Sequence, residues 1–150
     1  NDTDPLNKKQ LRIVNDPFGG PKRPHDARLT GNVLTMLDNQ AGTGRPSRAV
    51  AYQIDTSNPA DPTATMLWEF RNSAPGGATL GSVQQTADSV VINWGNGLQP
   101  VLEELTADGT RLMAVGLPFG GNSYRTIKYP PADFDVNVLR QYAGGSVTPP

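Results

Sequence analysis

The side chains best suited to chemistry in this chain are cationic and amidic rather than nucleophilic. A single histidine, His25, stands three residues before Arg28; Arg45 and Arg48 follow in the next long loop, and Tyr124-Arg125 lies towards the C-terminal end. Between them fall Asn39, Gln84 and Asn93, carboxamides that both donate and accept. One imidazole with several guanidiniums and little carboxylate suits an oxyanion such as sulfate, phosphate or carboxylate. The chain has no cysteine, which excludes disulfides, thiolate metal sites and thiol nucleophiles. It has no phosphate-cradling glycine loop, Ser-His-Asp set or zinc spacing, and the opening Asn1-Asp2-Thr3-Asp4 lacks the glycine and distal glutamate of a calcium loop. No metal and no cofactor are expected.

These residues have to be held by short strands. At 150 residues one domain is the default. The 16 Gly and 14 Pro make a fifth of the chain, so turns outnumber long helices. Lys and Arg number 13 against 14 Asp and Glu, for a net charge of −1. That balance argues against a nucleic-acid or anionic-membrane partner held by net charge. No apolar run reaches the ~18 residues of a membrane span, and no basic-then-apolar leader opens the chain; the start at Asn1 fits a processed or truncated product. Period and punctuation place strands at 11–14, 25–29, 33–37, 48–54, 64–70, 81–85, 89–94, 101–105 and 111–115. Thr30-Gly31-Asn32, Thr86-Ala87-Asp88 and Asp108-Gly109 read as turns. One short helix is expected, capped by Asp133, carrying Val136, Leu139 and Tyr142 and ending at Gly144-Gly145; residues 146–150 read as a disordered tail or surface strap.

The strand pattern then repeats. Val33-Leu34 aligns with Val90-Val91 about 57 residues later, and Tyr124 falls about 42 after Ser82. Four strands per unit at such a period is the pattern of β-propeller blades. The expected blades span about 11–79 and 80–121, with a third opening at 122–130 and a helical turn and tail over 131–150. A ring needs at least four blades, so the expected fold is all-β, part of a propeller completed by a second chain or a missing segment. A compact sandwich of eight or nine strands is the alternative.

Propeller geometry would bring the polar first-strand mouths and the second-to-third loops, with Asn93, Trp94 and Asn96, to one channel. Each residue also has a plainer reading. A histidine after proline on a strand is commonly structural, and Arg45 and Arg48 read equally as solvated loop charges. Asp26 faces away from His25 in strand alternation, which makes it a turn or inter-blade partner rather than a catalytic mate. Asp38-Asn39 reads as a turn pair, and Trp68, Phe70 and Trp94 as packing residues.

Taken in order, His25-Asp26-Ala27-Arg28, Leu37-Asp38-Asn39, Arg45-Pro46-Ser47-Arg48-Ala49-Val50 with Tyr52 and Asp55, Thr63-Ala64-Thr65 with Trp68-Glu69-Phe70, Gly81-Ser82-Val83-Gln84, Ile92-Asn93-Trp94-Gly95 and Ser123-Tyr124-Arg125 resemble the arylsulfotransferase-like propeller family over about residues 11–130. The resemblance implies the C-terminal part of a six-bladed ring and an exported protein. It implies sulfuryl transfer from an aryl sulfate to a histidine and on to a phenol, without a metal. His25 corresponds to a channel histidine, and Arg45 or Arg48 to the sulfate-binding arginine. Family enzymes use several channel histidines, whereas the second unit here offers Ser82, Gln84 and Asn93 instead. The expectations are His25 as the catalytic residue and Arg28, Asn39, Arg45, Arg48, Gln84, Asn93, Tyr124 and Arg125 on an anionic or phenolic substrate. A lyase or hydrolase on the same scaffold, and a non-catalytic binding or assembly subunit, are the alternatives.

Overall fold

The computed structural model describes residues 10–72, 79–95, 99–118 and 121–143. The expectations on Asn1–Asp4, Asn96, the Gly144-Gly145 helix stop and the 146–150 tail lie outside these residues. Nine strands are seen among the described residues: β1 (Arg12–Val14), β2 (Pro24–Thr30), β3 (Val33–Asp38), β4 (Arg48–Asp55), β5 (Thr63–Arg71), β6 (Ser82–Gln85), β7 (Val90–Asn93), β8 (Leu102–Leu105) and β9 (Arg111–Val115). Each lies within one or two residues of its expected position, because glycine, proline and Asx turns bound every run. Gly31 (φ +59) shows why: with Asn32 it forms a two-residue loop between β2 and β3, and a Cβ would oppose that backbone angle.

The strands form two sheets, ordered β1-β5-β4-β3-β2 and β6-β7-β8-β9. Within each sheet, four sequence-consecutive strands run as an antiparallel meander, and β1 joins the first as a parallel edge strand beside β5. The chain is thus all-β with two four-stranded units, as the repeat implied. Residues 122–130, expected to open a third unit, form no strand and pair with neither sheet as one.

The cores follow from strand alternation. Leu37 and Ala49 from the first sheet meet Val83, Val90, Ile92, Trp94 and Leu105 from the second, with Trp68 and Phe70 packed alongside. On the far face of the first sheet, Met36, Val50, Tyr52 and Ala64 pack under Leu11, Ile13, Leu34, Ile54 and Met66. Strict alternation would put Met66, Trp68 and Phe70 on one face of β5. A bulge prevents this: the register steps from Ala51↔Trp68 to Tyr52↔Met66, so Leu67 is the extra residue. β5 therefore turns Ala64 and Met66 to one core and its two aromatic rings, 5.3 Å apart, to the other. The three packing residues expected from the sequence, Trp68, Phe70 and Trp94, all serve the inter-sheet core.

The expected helix is present as α1 (Val136–Tyr142), with a 3-10 turn over Pro131–Asp133 before it. Its N-cap is Asp135, not Asp133: the Asp135 carboxylate accepts from the amides of Asn137 and Val138, while Asp133 is used up in the preceding turn. No helix among the described residues is long and apolar enough to cross a membrane.

Candidate functional site

Two polar centres arise where strands of the first sheet end or bulge. The first lies on a single row across that sheet, in which Pro24, Asp38, Arg48 and Arg71 are successive cross-strand partners. Arg48 is fully buried there. Its Nε donates to Asp38 (2.8 Å), Nη1 to Asp16 (3.0 Å) and Glu69 (2.9 Å), and Nη2 to Asp16 (2.8 Å). Asp16 reaches this centre from an Asx turn, in which its carboxylate also accepts the amides of Phe18 and Gly20 and the Tyr52 hydroxyl at 2.6 Å. Asp38 bonds the Gln40 amide within its own loop, as its turn reading implied, but also the Lys22 amide across the chain.

Arg48 is therefore a structural counter-charge and not a ligand-binding arginine, which corrects the expectation from the sequence. Its donors are spent on three carboxylates, and no face of it meets solvent. Burial alone favours the neutral acid of Asp16, but the hydrogen bonds from Arg48 and Tyr52 outweigh it and hold the carboxyl well below the ordinary range. Burial, with the same carboxylate, pushes the Tyr52 phenol well above its ordinary value. The signs predict a two-sided pH dependence. The depressed Asp16 stabilises above the unfolded carboxyl range, about pH 3.9, and that contribution fades as pH falls towards its native value. The raised Tyr52 stabilises below about pH 10 and loses its contribution as pH climbs towards the native pKa. Thermal unfolding midpoints should drop on both sides, and Tyr52→Phe should flatten the alkaline limb; an unchanged alkaline limb in that variant would refute the assignment.

Around this centre Phe18 carries three guanidinium carbons over its ring, those of Arg45 at 4.1 Å, Arg71 at 4.2 Å and Arg48 at 4.8 Å. Arg45 is exposed and makes no ion pair with the described residues. Asn39 is buried, with its amide donating to the Leu80 carbonyl at 3.1 Å and its side-chain oxygen unpartnered among the described residues. It ties the two units together rather than facing an opening.

The second centre lies where β2 meets β6. Between His25 and Arg28 the β2 register slips, and Asp26 sits at φ +53 in the bulge. Asp26 accordingly escapes the alternation read from the sequence. Its carboxylate accepts from Arg28 Nε (2.8 Å) and Nη2 (3.2 Å) and forms an ion pair with Arg125 at 3.0 Å, so it bridges to another segment. Beside it opens a groove of about 530 Å3, walled by Arg28, Thr30, Val33 and Thr35 from one sheet and Gln84, Gln85, Thr86 and Ala87 from the other. Arg28 Nη1 has no partner among the described residues and is the donor left for a ligand. That volume suits a small organic molecule. Its lining of one guanidinium, carboxamides and hydroxyls suits an anion bound by hydrogen bonds.

No protein-family model, curated protein or solved structure matches the chain. What the centres can do follows from their own groups. Of the nine residues expected from the sequence, Arg28 and Gln84 share the groove. Arg125 joins them through Asp26, and Asn93 sits on the same face of β6–β7 as Gln84 but is fully buried, donating to Ser123 and Thr126. Tyr124 is 66% exposed and contributes its backbone carbonyl to the Gly81 amide. His25 is half-buried and does not line the groove, and its imidazole has no hydrogen-bond partner among the described residues. Asp16, Glu69 and Phe18 were not foreseen. A partial signal existed in Asn15-Asp16-Pro17-Phe18-Gly19-Gly20, an Asx-type turn that presents an acid, but nothing in the sequence pairs that acid with Arg48, 32 residues away.

Proposed function

We propose that this chain contributes two blades to a propeller-type protein of the arylsulfotransferase-like kind, and that the groove between β2 and β6 holds an anionic or phenolic small molecule. The observation that carries the reading is the groove, with Arg28 presented at the seam of two repeated units. The remainder of the ring is a second chain or segment, and the setting is secreted or periplasmic. Sulfuryl transfer, with His25 as acceptor of the group, is the reaction that the motif order implies. Native mass spectrometry tests the partner: a larger polypeptide that leaves on denaturation supports the ring, and a lone monomer argues against it.

A second reading, a non-catalytic binding or assembly unit, is favoured by the position of His25 off the groove wall. One experiment separates the two. p-Nitrophenyl sulfate is titrated calorimetrically into the protein, and transfer to added phenol is followed in parallel. Losing a charge-assisted hydrogen bond of about 1.5–3 kcal/mol, Arg28→Ala should weaken binding roughly ten- to hundredfold. His25→Ala should spare binding and abolish transfer if the histidine carries the sulfuryl group. Binding without transfer by the unaltered protein selects the second reading, and release without any acceptor points to a hydrolase or lyase. Equal affinity in Arg28→Ala would remove the groove from either.

A further inference from the structure

Residues 123–128 lie across the face of the second sheet that turns away from the inter-sheet core, and they are held as a bound peptide is held. The Ser82 hydroxyl accepts from the Thr126 amide (3.1 Å) and donates to the Thr126 carbonyl (3.3 Å). Two residues on, the Gln84 carboxamide does the same for Lys128, accepting from its amide at 2.7 Å and donating to its carbonyl at 2.9 Å. The two side chains thus reproduce a strand's ladder with the period of an extended backbone. Asn93 adds bonds to the Ser123 (2.6 Å) and Thr126 (3.0 Å) hydroxyls, and the Gly81 amide binds the Tyr124 carbonyl.

Two carboxylates then read side-chain charge. Asp26 pairs with Arg125 at 3.0 Å and Glu104 with Lys128 at 2.5 Å, three residues apart. Both acids are at least nine-tenths covered, whereas Arg125 and Lys128 are about half exposed. Main-chain bonds for grip and spaced acids for selection are the chemistry of extended-peptide recognition. None of residues 123–128 is buried, so polar bonds rather than apolar burial hold the segment, which favours exchange. Beyond it, all seven residues of α1 are exposed, including the stripe of Val136, Leu139 and Tyr142, so the arm is not anchored by packing of its helix.

We propose that the Ser82–Gln84–Asn93 face, flanked by Asp26 and Glu104, is a recognition site for an extended basic peptide, whose occupant in trans is residues 123–128 of a second copy. The cis segment fills the site in one molecule, and its counterpart replaces it in a pair. This assignment does not depend on the Arg28 groove; it shares Gln84 with that wall and Asp26 with Arg28, and either can fail alone.

The test uses the full chain. Arg125→Ala with Lys128→Ala removes both charges from the cis segment and weakens its hold on the site. A labelled peptide of residues 121–130 should then bind saturably by fluorescence anisotropy, at least tenfold more tightly than to the unaltered protein. The same peptide with both alanines should bind at least tenfold more weakly, as should the unaltered peptide once Asp26→Asn and Glu104→Gln are added to the chain. Sedimentation should show a concentration-dependent dimer of the unaltered protein that the doubly substituted chain does not form. No peptide binding by a variant with native circular dichroism overturns the site, and a monomer at every concentration overturns the second copy as occupant. If the alanine pair does not fold, Arg125→Gln with Lys128→Gln removes the charges while keeping chain length and polarity.

Discussion

Arg48→Ala is expected to cost about 3–5 kcal/mol, the usual result of leaving buried charge without its partner. The substitution strips the counter-charge from Asp16 and Asp38, both with fully covered side chains, and from Glu69. It also frees the Asx turn at Asp16, which holds the loop to Phe18 and Gly20 against the sheet. Against a total stability of about 5–15 kcal/mol this is a large fraction. At roughly 2–4 °C per kcal/mol for a chain of this size, the midpoint should fall on the order of 10 °C. Arg48→Lys should recover little, because one ammonium cannot present a planar fork to three carboxylates. Arg48→Met combined with Asp16→Asn and Asp38→Asn should be milder than Arg48→Ala alone, since it removes the two fully covered charges with their partner and leaves Glu69 paired with Arg71. Urea unfolding measures all three, and a loss below about 1 kcal/mol for Arg48→Ala would show the cluster to be hydrated and minor.

Gly81→Ala should be nearly as damaging for an unrelated reason. Gly81 connects the two units at φ +104, and a Cβ there would stand 2.1 Å from Leu37 Cδ2 and 2.6 Å from the Asn93 carbonyl oxygen. Leu37 is completely buried in the inter-sheet core and Asn93 belongs to β7, which pairs with the β6 strand that Gly81 leads into, so relief requires both the sheets to separate and the β6–β7 edge to shift. Backbone strain and overpacking together put the loss at about 2–4 kcal/mol. Gly31→Ala is the matched control. Its φ is also positive, at +59, but nothing lies within 4 Å of the added Cβ, so only the backbone contribution remains. Thermal unfolding of the pair separates conformational strain from collision. Equal losses would mean that the sheets yield at Gly81 and that the close approach is soft.

The strands were readable because alternation, β-branched residues and Gly or Asx turns agree locally, as in residues 48–54 and 111–115. The two four-stranded units followed from the repeat. Less legible were the irregularities. A bulge at Leu67 or Asp26 adds a single residue with no distinct composition, yet it redirects Trp68, Phe70 and Arg28. Residues 122–130 carry a strand-like pattern, but Ser82 and Gln84 side chains take their backbone bonds, so no strand forms. The candidate site divided along the same line. Arg28 and Gln84 line one groove and Arg125 reaches it through Asp26, whereas Arg45 stands over Phe18 and His25 stands apart.

By itself the sequence determined the positions of the nine strands to within a residue or two, the all-β class, the lack of thiol chemistry and the supply of guanidinium and carboxamide groups, since these depend on residue type and near neighbours. Only the tertiary structure decided what each charge does. Arg45 and Arg48 are three residues apart and alike in composition, yet one lies open to solvent and the other is enclosed by acids drawn from positions 16, 38 and 69. A charge acts through the groups within a few ångströms of it, and in a sheet those groups come from distant parts of the chain.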